Sequence, residues 1–242
     1  MNRKRADVAL VERGFFASRA RAQEAIAAGL VTVNGAVIRK ASDTVPEEAT
    51  ITAEQPHPYV SRGGVKLAAA LDAFAIDPKG KTCLDIGAST GGFTEVLLQR
   101  GAAHVYAVDV GHGQLHPTIL GNACVTNLEG TDARALTEAL IPHKADLLVS
   151  DVSFISLKLV LPPAMAFLKP RAELAVLVKP QFEAGRDHVK KGIVRDEAVH
   201  RAVCEDLQAF VASLGFDVIG LVPSPIEGGD GNREFLLGAR RG

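Results

Sequence analysis

A chain of 242 residues, 47% of them hydrophobic, is long enough for one large α/β domain or a medium domain beside a small one, and too apolar for disorder. Its formal net charge of −1 names no partner for the whole chain, and no stretch approaches the roughly 18 uninterrupted apolar residues of a membrane helix. Cys83, Cys124 and Cys204 stand apart without metal-ligand spacing, and the charged N-terminus lacks an apolar run. That pattern predicts reduced, mostly core thiols in a soluble cytoplasmic protein without a secretory signal or a bound metal.

Residues 6 to 13 carry apolar side chains at helical spacing (Val8, Ala9, Val11), stopped by Gly14. Ser18 predicts the N-cap of a second helix that ends before Gly29. Val31-Thr32-Val33 and Ala36-Val37-Ile38 flank Asn34-Gly35, a strong hairpin signal. Two helices and a hairpin make a compact α+β module, placed at residues 1–55. Between Arg3 and Lys40 it holds eight Lys or Arg against three acids. Such an excess is either a solvated face or an electrostatic footprint for nucleic acid. Arg5, Arg19, Arg21 and Lys40 cluster around the second helix and the hairpin.

Prolines and polar residues suggest a linker over residues 56–62, with the remaining chain, 63–242, as a second domain. There Gly63-Gly64 precede an amphipathic helix with Lys66, Leu67, Ala70, Leu71 and Phe74, closed by Pro78 and Gly80. A buried strand from Lys81 ends in Asp85. A glycine turn (Gly87, Gly91, Gly92) follows, then a helix with Phe93 and Val96 to Leu98, and a strand from Val105 to Val108 ending in Asp109. Beyond lie a loop through Pro117 and Gly121, a weak strand from Ala123 to Thr126, and Asp132. A strand from Asp146 to Ser150 ends in Asp151. The next helix, with Ile155 and Leu159 to Leu161, is stopped or bent at Pro162-Pro163. A strand from Glu173 to Val178 ends in Lys179-Pro180. A mobile basic loop over 183–195, a helix over 196–213, a strand from Val218 to Val222 and a closing strand from Glu234 to Leu237, reached through G-G-D-G-N, complete the chain. Strands alternating with helices predict a mostly parallel, doubly wound sheet that gathers ligands at its strand carboxyl ends.

The turn D-x-G-x-x-x-G-G differs from the pyrophosphate-binding G-x-G-x-x-G by an acid ahead of its first glycine. An acid there disfavours an anion and suits a cationic or amino-bearing ligand; S-adenosylmethionine, with a ribose, an ammonium and a sulfonium, fits. The candidate cofactor contacts are Asp85, Gly87, Ser89, Gly91, Gly92 and Phe93, with Asp109 for the ribose hydroxyls. Asp132 is either a partner for the adenine amino group or a helix N-cap. Lys66, Asp151, Lys179 and Glu234 are charges where a core would not want them. Each is either part of a surface ion pair or part of a site, and Lys179, directly after A-V-L-V, has the desolvated setting of a usable base.

R-x-x-x-x-L-V-x-R-G, S-R-x-x-A and G-x-V-x-V-N-G resemble the small RNA-binding domain first seen in a small-subunit ribosomal protein. The resemblance implies that Arg5, Arg19, Arg21 and Lys40, with Arg62 beyond the module, contact RNA phosphates. S-R-G-G-V-K-L, L-D-I-G-A-S-T-G-G-F-T, A-V-D-V-G-x-G-Q-L, S-D-V-S-F-I-S, V-K-P-Q-F-E-A-G-R and S-P-I-x-G-x-x-G-N-x-E-F-L-L resemble the TlyA family of ribosomal RNA 2′-O-methyltransferases. The catalytic domain of that family is similar to the FtsJ/RrmJ type. This resemblance implies a Rossmann-like class I methyltransferase fold and S-adenosylmethionine as methyl donor. It implies cytidines of small- or large-subunit rRNA as substrate, and a Lys-Asp-Lys-Glu tetrad at Lys66, Asp151, Lys179 and Glu234. Two rival readings are a non-catalytic ribosome-assembly factor and a membrane-acting haemolysin. The tetrad argues against the first, and the lack of a long apolar run or a basic amphipathic helix argues against the second.

Overall fold

The computed structural model describes residues 3–228 and 231–242, and of Arg186 the backbone alone; Gly229 and Asp230 of the G-G-D-G-N stretch lie outside the described residues. The chain divides into two compact units, Met1–Pro58 and Tyr59–Gly242.

In the first unit, Leu10 of α1 (Ala6–Glu12), Ile26 of α2 (Arg19–Ala27) and Phe16 from the connection between them share a core with Val31, Val45 and Ile51. Ser18 caps α2 by accepting from the Arg21 amide at 3.3 Å. Asn34 and Gly35 both take left-handed backbone (φ 51° and 80°), which matches a tight turn to the strand twist. They join β2 (Val31–Val33) to β3 (Ala36–Val37), and β5 (Ile51–Ala53) pairs the other edge of β2. The periodicity reading lacks β5, and it lacks the antiparallel pair β1 (Arg3–Arg5) and β4 (Thr44–Pro46). All three β1 residues are charged and exposed, so no apolar alternation announces a strand.

The second unit is built on seven strands: β6 (Thr82–Ile86), β7 (His104–Asp109), β8 (Val125–Glu129), β9 (Ala145–Ser150), β10 (Leu168–Val178), β11 (Asp217–Pro223) and β12 (Phe235–Arg240). Their order is β11-β12-β10-β9-β6-β7-β8, parallel from β10 through β8 and antiparallel at β12 and β11. This is the mostly parallel, doubly wound sheet that the alternation predicts. Side chains alternate across it. Leu84, Ile86, Leu148 and Val176 face α6 (Leu157–Ala164) and α8 (Glu197–Ser213). Cys83, Leu147, Val149 and Leu177 face α3 (Arg62–Ala73) and α4 (Gly92–Gln99).

Local departures have physical causes. Gly63 and Gly64 lie inside the first turn of α3 rather than ahead of it, and a Cβ on Gly64 would sit 2.4 Å from the Tyr59 ring, so close packing there requires glycine. Pro162 and Pro163 fall in the last turns of α6, which continues into a 3₁₀ turn, Met165–Phe167, instead of stopping. Ile155 precedes α6, whose N-cap is Ser156. The expected loop after Asp109 contains α5 (Pro117–Leu120), and the expected loop over 183–195 begins with the last residue of α7 (Pro180–Glu183) and continues with a 3₁₀ turn and an isolated bridge between Lys190 and Ile193.

Candidate active site

A cavity of about 420 Å³, within the range of small-molecule pockets, opens at the carboxyl ends of β6, β7 and β9. Gly87, Ser89, Asp109, Asp132, Asp151 and Ser153 are among its lining residues. Gly87 has φ +86°, and a Cβ there would lie 2.8 Å from the Asp151 carbonyl oxygen, so only glycine passes this point. The Ser89 amide donates to Asp109 Oδ2 at 2.8 Å and the Gly111 amide to Oδ1 at 2.7 Å. A carboxylate offers about four lone-pair sites, which leaves Asp109 capacity for further donors. Asp132 fulfils one of its two readings outright: it caps the 3₁₀ turn Ala133–Ala135, accepting from the Arg134 amide at 2.8 Å. It also lines the cavity, and hydrogen bonds from Arg134 hold its carboxyl down to about 2.

The other turn residues stand outside the cavity lining. Asp85 sits on the strand face turned toward α3 and α4 and is fully buried. Its Oδ2 accepts from Thr94 Oγ1 at 2.6 Å, and Oδ1 has no hydrogen-bond partner. Burial pushes its carboxyl up to about 7 against the opposing Thr94 bond, with the charges of Asp151 and Asp109 adding to the rise. Gly91 and Gly92 serve close packing: a Cβ on Gly92 would meet Ser61 Oγ at 2.1 Å. Phe93 is a core residue between α3 and α4. One motif thus divides into a cavity-forming half and a helix-packing half.

The two lysines and two carboxylates come together through strand register. Val178 pairs Phe235 between β10 and β12, so Lys179 and Glu234, the next residues outward on each strand, are neighbours at the sheet end. Asp151 follows Ser150, whose β10 partner is Val176. Lys66 reaches the same end from α3, donating to Glu234 Oε2 at 2.5 Å. Lys179 Nζ lies 2.6 Å from Asp151 Oδ1 without hydrogen-bond alignment, and donates to Ser153 Oγ at 2.8 Å. Lys66, Lys179 and Glu234 are 7%, 8% and 3% exposed, which rules out ordinary surface ion pairs.

Sequence reasoning missed Ser153 and Phe154, although both stand in S-D-V-S-F-I-S. Phe154 is 91% exposed at φ 66°, lines the cavity and has its ring centroid 5.1 Å from that of Phe182. Neither the exposure of a phenylalanine nor its left-handed backbone leaves a mark in residue spacing.

In the first unit the basic candidates are tied to one acid. Asp7 is fully buried; Arg5 donates to both its oxygens at 3.0 and 3.2 Å, Arg19 to Oδ2 at 2.8 Å and Gln23 to Oδ2 at 2.7 Å. Both arginines still expose about half of their side chains. Arg21 donates to the Gln55 side chain at 3.1 Å and to the His57 carbonyl at 2.6 Å, and Lys40 is exposed. In the second unit, exposed Arg62 donates to the Glu227 carbonyl.

A mostly parallel α/β sheet with an acid-lined cavity and two lysine–carboxylate pairs at its carboxyl end is the arrangement of a methyltransferase-type catalytic domain, here joined to a small α+β unit. The chain belongs to the FtsJ-like methyltransferase family, whose sequence model matches residues 59–241, and an S4 domain matches residues 4–51. It is 44% identical over 241 residues to the 16S/23S rRNA (cytidine-2′-O)-methyltransferase TlyA of Mycobacterium tuberculosis, covering 98% of this chain and 90% of the relative. It is 38% identical over 234 residues to Hemolysin A of Brachyspira hyodysenteriae, covering 96% and 98%. A solved structure from Streptococcus thermophilus that carries a hemolysin name superposes with a TM-score of 0.79 at 40% identity, over 100% of this chain and 89% of that one.

Proposed function

We propose that this protein transfers a methyl group from S-adenosylmethionine to a ribose 2′-hydroxyl of ribosomal RNA, in cytidines of one or both subunits, within the cytoplasm. The observation that carries the reading is the placement at one sheet end of the buried Lys66–Glu234 pair and of buried Lys179 beside the half-buried, cavity-lining Asp151. The cavity chemistry fits the donor. Asp109 retains acceptor capacity for a ribose diol, and Gly87 allows close backbone approach. Asp132 lines the cavity but already accepts four hydrogen bonds from Arg134, so an adenine amino group would have to displace one of them. When bound, S-adenosylmethionine supplies an electrophilic methyl on a sulfonium. A hemolytic reading finds no support in the helices: among the described residues none is long and apolar enough to cross a membrane.

A ribose hydroxyl is a weak acid, so it must lose its proton as its oxygen attacks. Lys179, in its neutral form, takes that proton at Nζ; Asp151 steadies the ammonium that results. The Lys66–Glu234 pair places a donor and an acceptor beside the same strand end and holds the hydroxyl in line for displacement. The exposed Phe154 ring offers a stacking face to the nucleobase. Arg5, Arg19, Arg21, Lys40 and Arg62 contribute phosphate contacts, which give affinity and register rather than sequence choice. The deciding experiment incubates the protein with labelled methyl donor and each ribosomal subunit, then maps protected 2′ positions. Lys179→Ala abolishes transfer while donor and RNA binding survive; near-normal turnover would refute the base assignment. Removing residues 1–55 weakens subunit binding and flattens its salt dependence, and unchanged affinity would show that the basic module is not the anchor.

A further inference from the structure

Lys179 carries a stereochemical requirement that the tetrad alone leaves open. A neutral primary amine has two N–H bonds and one lone pair at tetrahedral positions about Nζ. To accept a proton from a substrate hydroxyl, the lone pair must point at the substrate, so both N–H bonds need acceptors elsewhere. The Asp151 carboxylate is one candidate acceptor, its Oδ1 2.6 Å away but out of hydrogen-bond alignment. The acceptor that Nζ does reach is Ser153 Oγ, at 2.8 Å. Ser153 is exposed and lines the cavity, so this bond is made at the ligand side of the lysine and not in the core behind it.

The backbone around Ser153 is built to hold that hydroxyl in place. The next residue, Phe154, is in the left-handed region at φ 66°, a conformation that costs a bulky residue on the order of 1–3 kcal/mol and persists only when its surroundings fix it. They do. Glu183, at the end of α7, accepts from Ser156 Oγ at 2.5 Å and from the Leu157 amide at 2.8 Å. The segment bearing Ser153 is thereby clamped to the segment that begins at Lys179.

We propose that Ser153 is a positioning residue that directs the Lys179 lone pair toward the reacting hydroxyl. The proposal rests on the reading of Lys179 as base and deepens it. Its test is single-turnover methyl transfer onto unmethylated ribosomal subunits by the full-length S153A, S153T and K179A variants, with donor affinity and subunit KM measured alongside. S153A slows the single-turnover rate about 10- to 100-fold, with donor affinity and KM within about twofold, because only orientation is lost. S153T, which keeps the hydroxyl, recovers to within about threefold of wild type. Ser153 is exposed, so the unfolding midpoint of S153A matches wild type. An inactive K179A beside an S153A at wild-type rate overturns the positioning role and leaves the base reading intact. A raised KM at unchanged rate overturns it also, by making Ser153 an RNA contact, as does an S153T no faster than S153A. A K179A near wild-type rate removes the base reading and the proposal with it.

Discussion

Asp85→Asn separates the charge of the buried carboxyl from its shape. In the folded state burial holds this group at about 7 against an ordinary 3.8. An acid with a raised folded-state pKa binds its proton more tightly when folded. The resulting stabilisation is complete below 3.8 and is lost as the pH rises through about 7. The loss is about 1.4 kcal/mol per pH unit within that window, so the wild type gives up on the order of 4 kcal/mol by about pH 8. Asparagine escapes this loss, but its amide would place a donor where Oδ1 now has no partner, a cost of about 1–3 kcal/mol at any pH. The variant is therefore less stable than wild type by about 1–3 kcal/mol near pH 4 and more stable by a similar amount near pH 8. Both tyrosines, Tyr59 and Tyr106, lie in the second unit, so tyrosine fluorescence during urea unfolding reports on that unit alone. Parallel stability profiles for the two proteins across this range would refute a carboxyl held neutral by burial.

Glu234→Ala strands the buried Lys66 ammonium and destabilises the second unit by about 3–5 kcal/mol, whereas the Lys66→Met, Glu234→Leu pair unfolds at or above the wild-type urea midpoint yet transfers no methyl group. In the first unit, the Arg5 hydrogen bonds foremost, then those of Arg19 and Gln23, hold the Asp7 carboxyl well below the usual carboxylate range. A depressed acid stabilises the fold above its ordinary value of 3.8 and loses that effect as the pH falls toward its folded value, so Asp7→Asn lowers stability near neutrality by about 2 kcal/mol and shows a flatter acid-unfolding profile by circular dichroism.

The sheet was legible in the sequence because its strands are short apolar runs ended by an acid, a lysine or glycines. Asp109, Asp151 and Lys179 could be placed at the ligand end for that reason alone. What periodicity could not supply is orientation. Asp85 closes a strand as Asp109 does, yet its side chain turns toward α3 and α4 and ends fully buried beside Thr94. Gly91 and Gly92 look like ligand glycines, but the space they open belongs to Leu115, Ile119 and Ser61. Strand β1 was hidden because three consecutive charges carry no alternation, and the start of β10 because Lys169-Pro170-Arg171 breaks an apolar run. Asp7 counted in the sequence only as one of three acids against eight bases. Its burial makes it the anchor of two of them.

The unfavourable features of the second unit are distributed unequally between the two ends of its sheet. At the carboxyl end lie the unpaired, fully buried Asp85 oxygen, the buried Lys66–Glu234 pair, and Ser89 and Phe154 with left-handed backbone. At the opposite end Ala75 is also left-handed, at φ 50°, but the charges there, Lys81 with Glu173 and Lys169 with Asp146, are partly exposed pairs that cost little to form. The apolar layers on both sheet faces stabilise both ends alike, so packing does not account for the difference. A cationic ligand in the cavity would act on part of it, by offsetting the charges of Asp109 and Asp151, which add to the burial that chiefly raises the Asp85 pKa. Buried charge is thus concentrated at the end where the proposed donor and hydroxyl would act on it.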